Sequence, residues 1–120
     1  MRKALVVASL LICTLHASAA SAEDAPISEE AKRHFKAGVA LLQDPDGEKV
    51  EEAYREFKAA YQISQSPKIL GNMGFCAMKL ERDGEAIDAY SRYLREVADI
   101  DPDERAQIVR DVQTLSVGVV

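Results

Sequence analysis

Few side chains in this sequence stand at spacings that would do covalent chemistry. His34 and Cys76 are the natural base and nucleophile, but they lie in different stretches of the chain, so neither a Ser-His-Asp nor a Cys-His set can be argued from the order of residues. His34 is expected to pack against a neighbouring helix, and Cys76 to serve as a small apolar core residue. The acidic groups Asp44/Asp46 and Asp99/Asp101/Asp103 alternate as calcium-loop ligands do. The second group, however, has Glu104 where such a loop needs glycine and Arg110 where it needs a bidentate carboxylate. The first has no third ligand in step, so both read as turn and cap chemistry. Gly71 and Gly74 follow no strand and precede no lysine at phosphate-loop spacing; they read as places where two helices approach closely. The sequence therefore predicts no catalytic set, no metal ligands and no cofactor.

The elements that carry these residues have helical periodicity throughout. Ser28 followed by Glu29 and Glu30 predicts a helix over about 28–43, with Ala31, Phe35, Val39 and Leu42 on one side and Gly38 and Leu41 close by. Asp44-Pro45-Asp46-Gly47 has the residues of a type I turn. A second helix over about 49–64 places Val50, Ala53, Phe57, Ala60 and Tyr61 on one face, with Glu51 and Arg55 four apart on the other. Ser66-Pro67 opens a third, whose apolar face is Leu70, Met73, Ala77 and Leu80. Arg82-Asp83-Gly84 interrupts the pattern, and Ala86, Ile87, Tyr90 and Leu94 resume it in a fourth helix expected to extend through Arg95 to Asp101. Asp101-Pro102-Asp103-Glu104 starts a fifth, with Ala106, Val109 and Val112, joined by Ile108 and Leu115, as its apolar face.

A repeat underlies this order. Ala53 and Ala86, Phe57 and Tyr90, and Ala60 and Tyr93 are each separated by 33 residues, and the helix starts Ser66-Pro67 and Asp101-Pro102 by 35. A constant offset near 34 marks a stack of helical hairpins. Over residues 28–116 the glycine, the alanine, the aromatic and the closing proline resemble the tetratricopeptide repeat family. The early tryptophan of that family is replaced by His34 and Leu70, and the tyrosine of its first helix by Leu41 and Ala77. The resemblance implies an all-α, antiparallel helix-turn-helix solenoid of about two and a half repeats, five helices in all. Its repeats would span 28–65 and 66–100, and a capping helix over 102–116 would cover the apolar end.

Ahead of that unit, Arg2 and Lys3 precede the apolar run 4–15 and the small residues 17–22, the order of a secretory signal peptide over residues 1–22, cleaved after Ala20 or Ala22. The run is short for a permanent anchor, which needs about 20 residues, and Cys13 lacks the preceding small residue that lipid attachment requires. Residues 23–27 read as a flexible lead. Loss of residues 1–22 removes Arg2 and Lys3, leaving 13 basic against 20 acidic residues, a net charge of −7. That acidity argues against nucleic acid and anionic membranes as partners. Cys76 would be the one remaining cysteine, so no internal disulfide is expected. The last residues, 115–120, are apolar and β-branched, and 117–120 read as a frayed tail or as a lead into a downstream β-domain.

Without a catalytic set, a surface is what remains to act with. The resemblance implies that the first helix of each repeat lines the inner curve, which puts Phe35, Val39 and Leu42 there in repeat one and Lys68, Gly71, Asn72, Phe75 and Met78 in repeat two. The expected function is a non-enzymatic adaptor, exported and most simply periplasmic, that grips a protein or peptide partner in a groove. The competing expectation is a structural or self-associating stub, with the same stripes packed as core.

Overall fold

The computed structural model describes residues 27–118. The signal-peptide reading of residues 1–22, most of the lead that follows it, and the final two residues of the tail lie outside the described residues. Within them the protein is all-α: five helices, with no strand among the described residues.

Each helix begins where a polar side chain can take up orphan backbone donors or where a turn hands the chain over. Ser28 accepts from the Ala31 amide at 3.2 Å and opens α1, Glu29–Leu42, with Glu29 and Glu30 on the positive end of the helix dipole. Asp44 closes the next turn from both sides. Its carbonyl accepts from Gly47 N at 3.0 Å and its carboxylate accepts from Asp46 N at 2.9 Å, an amide contact that, with Lys49 beside it, holds the carboxyl below its ordinary range. α2 then runs Val50–Ser64, and α3 Ile69–Lys79. The third helix starts later than Ser66-Pro67 suggests, because those two residues form a turn whose carbonyls accept from Ile69 and Leu70.

α4 spans Asp83–Glu96. Its first turn contains Asp83 and Gly84, which the sequence had placed in the break; the reversal falls one step earlier, at Glu81, whose φ is 58°. The expected extension of α4 to Asp101 is corrected. The helix stops at Glu96, and Val97 is extended (φ −107°, ψ 117°) so that Val97 and Ile100 can bury their side chains. Asp101 then accepts from the amides of Asp103 and Glu104 and opens α5, Pro102–Gly118, which carries Val117 and Gly118 in its last turn.

Contacts between neighbouring helices run in opposite directions. In the first hairpin Leu41 meets Lys49 near the turn, Gly38 meets Phe57 further back, and His34 meets Glu56. In the second, Gly74 meets Tyr90, Gly71 meets Tyr93 and Lys68 meets Asp99. α3 also packs on α2, and α5 on α4. The two hairpins thus join through one continuous interior, with Phe57, Ile69, Cys76 and Ala86 fully buried between them. Leu70, Tyr90, Tyr93, Val97, Ile100 and Ile108 form the second cluster, beneath α5.

The apolar face of α5 differs from the one expected. Ala106 is exposed and Val109 is 38% exposed, whereas Ile108 is buried and Val112 and Leu115 pack on the two clusters. Positions 108, 112 and 115 are the four- and three-residue steps that share one stripe. Glu51, four residues before Arg55 on the charged face of α2, accepts from Arg82, the residue that caps the start of α4, at 3.1 and 3.2 Å. Tyr54, absent from the expected face of α2, is buried and donates to Glu85 at 2.7 Å. Side chains therefore tie the first hairpin to the second across α2 and the start of α4.

Candidate functional groove

The second hairpin and α5 leave an open groove of about 530 Å³. One wall is α3, through Gly71, Asn72, Phe75 and Met78; the other is α5, through Glu104, Gln107, Ile108 and Asp111; Tyr90 of α4 lines it between them. Its depth has a local cause. Gly71 lies under the Tyr93 ring, where a β-carbon would sit 3.0 Å from Cζ. With no side chain at 71, the α3 wall is cut back at that end.

Four of the eight residues expected to form a binding surface therefore come together: Gly71, Asn72, Phe75 and Met78. The other four stand elsewhere. Lys68 pairs with Asp99 at 3.5 Å. Phe35, Val39 and Leu42 pack on the core, with the Phe35 and Phe57 ring centroids 5.5 Å apart. The α5 wall was missed in the sequence, although the i, i+3/i+4 spacing of Glu104, Gln107, Ile108 and Asp111 was there to be read as a polar stripe beside an apolar one.

The groove is apolar in its middle and acidic along α5. Glu104 accepts from the Tyr93 hydroxyl at 3.1 Å, and Asp111 accepts from Gln107 Nε2 at 2.9 Å, but neither carboxylate has a salt bridge among the described residues. Tyr90 is 4% exposed, and its hydroxyl has no hydrogen-bond partner among the described residues. Burial first, and then the charge of Asp111, with Cys76 and Glu104 following, push its phenol well above the ordinary tyrosine range.

The residues singled out for covalent chemistry are engaged in packing and pairing. His34 Nδ1 is 2.7 Å from Glu56 Oε2 on the next helix, with both side chains about one-third exposed. Cys76 is fully buried, and burial, followed by the charge of Glu48, pushes its thiol up to about 11, away from the thiolate that nucleophilic attack requires. Among the described residues no group of three His, Cys, Asp or Glu side chains is placed to hold a metal ion, and no helix is long and apolar enough to cross a membrane.

Fold and groove together define an all-helical chain with an open, half-apolar surface cleft. Comparison with protein-family models, curated proteins and solved structures finds no match for the chain, and the chemistry of these residues alone carries the functional reading.

Proposed function

We propose that this protein is a non-enzymatic, tetratricopeptide-like adaptor, exported to the bacterial envelope, that holds a peptide segment of a partner protein in the groove between α3 and α5. The single observation that carries the reading is the groove itself, whose apolar wall of Phe75 and Met78 faces Ile108 with the amides of Asn72 and Gln107 at its edges. Apolar contact supplies the free energy of such a complex, and side-chain amides can pair with an extended backbone. The repeat reading draws support from the two glycine-aromatic contacts, Gly38 with Phe57 and Gly74 with Tyr90, which recur at the same level of the two hairpins. The export reading rests on the residue order of 1–22.

Panning a random peptide display library on the protein tests the binding reading. A consensus that is lost on Phe75→Glu and on Gln107→Trp, with circular dichroism showing the helices retained, is the expected result. Gln107 is exposed on α5, so that variant obstructs the groove without disturbing the core. Enrichment that survives both substitutions, or no enrichment at all, would remove the groove from the account.

Self-association is the second reading, and Val117, 84% exposed near the end of α5, together with Val109 favours it. Sedimentation equilibrium across a hundredfold concentration range decides it: a mass that stays at one protomer throughout is the result that ends this reading.

A further inference from the structure

The groove's electrostatics narrow the class of peptide, an inference that rests on the peptide-binding reading above. Glu104 and Asp111 lie seven residues apart on one helix, which separates them by about 10 Å along the α5 wall. Both line a cleft with Phe75, Met78 and Ile108, as does Tyr90, whose ring is buried and whose hydroxyl has no hydrogen-bond partner among the described residues. The cations nearby are turned to other tasks. Lys68 pairs with Asp99, Lys79 with Glu48, Arg105 donates to two backbone carbonyls, and Arg110 donates to Gln107 Oε1.

An apolar segment entering this cleft would bring both carboxylates into partial desolvation, which is costly for an anion left without a counter-charge. A ligand that supplies its own cation removes that cost and gains a charge-assisted hydrogen bond. The Tyr90 hydroxyl oxygen offers one further acceptor for an ammonium or guanidinium proton. In an extended peptide of the polyproline II type, which repeats every three residues, side chains three apart lie on one face about 9 Å from each other, close to the separation of Glu104 and Asp111 along their helix.

We propose that the groove selects an extended peptide with two lysines or arginines three residues apart and apolar residues between them. The cations pair with Glu104 and Asp111, and the intervening apolar side chains seat on Phe75, Met78 and Ile108. An acidic protein surface favours the encounter with such a segment as well as the complex, and both effects weaken with salt.

The test uses the full chain and three fluorescein-labelled, terminally blocked peptides read by fluorescence polarisation: Gly-Lys-Leu-Leu-Lys-Gly, the same peptide with glutamate for lysine, and one with its two lysines adjacent. The first should bind about tenfold or more tighter than either of the others at low salt, a difference of about 1.4 kcal/mol. Glu104→Gln with Asp111→Asn, which keep the hydrogen-bond acceptors to Tyr93 and Gln107, should abolish that preference and flatten the salt dependence. Equal binding of lysine and glutamate peptides, or a preference that persists in the double variant, overturns the proposal. If a panned consensus without basic residues binds in a Phe75-dependent way while the lysine peptide does not, the adaptor reading stands and this inference falls. If no peptide binds, both fall.

Discussion

Gly74 lies directly beneath the ring of Tyr90: a β-carbon on Gly74 would sit 2.7 Å from Tyr90 Cγ, closer than such atoms approach. That contact lets α3 and α4 close on each other and holds the Tyr90 ring in the groove. Alanine is the better helix former by about 1 kcal/mol, so Gly74→Ala would stabilise an isolated helix. Here the ring must move, and overpacking of this kind costs about 1–3 kcal/mol. Gly84, in the first turn of α4 with nothing within 4 Å of its would-be β-carbon, is the internal control, and Gly84→Ala should stabilise by about 0.5 kcal/mol. Urea midpoints of the two variants should therefore move in opposite directions.

The same relationship in the first hairpin predicts an energetic coupling. A β-carbon on Gly38 would lie 2.7 Å from Phe57 Cε1, and Phe57 is fully buried. Phe57→Leu should cost stability by leaving a void, and Gly38→Ala should cost stability by crowding the ring. Made together, the alanine methyl partly occupies the space the ring has left. The double variant should be more stable than the sum of the two losses by about 1 kcal/mol, measured as a double-mutant cycle in urea.

These glycine-aromatic pairs were legible because each is written twice, with Ala53/Ala86 and Phe57/Tyr90 keeping step across the two hairpins. Helix starts at Ser28 and Asp101 were legible because a cap depends on residues three apart. The end of α4 was not. Residues 95–101 are compatible with helix locally, and the helix stops because burying Val97 and Ile100 under α5 outweighs continuing it, a decision taken by contacts distant in sequence. The face of α5 was misread for a related reason. Ala106 and Val109 fit an apolar stripe in isolation, but the stripe that meets α4 is 108, 112 and 115. Half of the groove followed from the α3 pattern, while the α5 wall depends on where that helix docks.

Alkaline pH should loosen the fold through its tyrosines. Burial, and then Glu104 by its charge and as hydrogen-bond acceptor, push the Tyr93 phenol from 10.0 up to about 12, and burial with Glu85 pushes Tyr54 higher still. A phenol that holds its proton more tightly folded than unfolded contributes its full stability below pH of about 10, and loses it as pH rises toward the folded value. Urea midpoints should be flat from pH 7 to 9 and fall steeply from 10 to 12. Tyr93→Phe should cost about 1 kcal/mol at pH 7 through the lost bond to Glu104. That deficit should shrink at pH 11, where the wild-type phenol is at a disadvantage; a deficit constant across pH contradicts the assignment.

Cys76 reports the same core from inside. The thiol is fully buried and pushed up to about 11, so at pH 8 it is neither ionised nor accessible. In a Cys13→Ser background, where Cys76 is the one thiol left of two, its reaction with a disulfide reagent should be slow and should accelerate in parallel with urea unfolding. Rapid labelling in the absence of urea would show that the interface of α2 with α3 opens locally, without global unfolding.

Arg105 decides whether α5 stays in place as the groove's second wall. Its guanidinium donates to Leu94 O and to Val97 O, both at 3.1 Å, at the C-terminal end of α4, where helical carbonyls run out of amide donors. One side chain thereby fixes the close of α4, the extended step at Val97 and the first turn of α5. Arg105→Met keeps the apolar stem and removes both bonds, at a cost of about 1–3 kcal/mol. Arg105→Lys can reach one carbonyl at most and should recover less than half of that loss, because the second bond depends on the planar fork. α5 packs chiefly on α4, so the loss should be local: amide exchange should speed up across residues 102–118 while α1 and α2 keep their protection. Peptide affinity should fall with that protection, since Glu104, Ile108 and Asp111 leave the groove together when α5 detaches. Exchange that rises evenly over all five helices would show instead that the chain opens as a single unit.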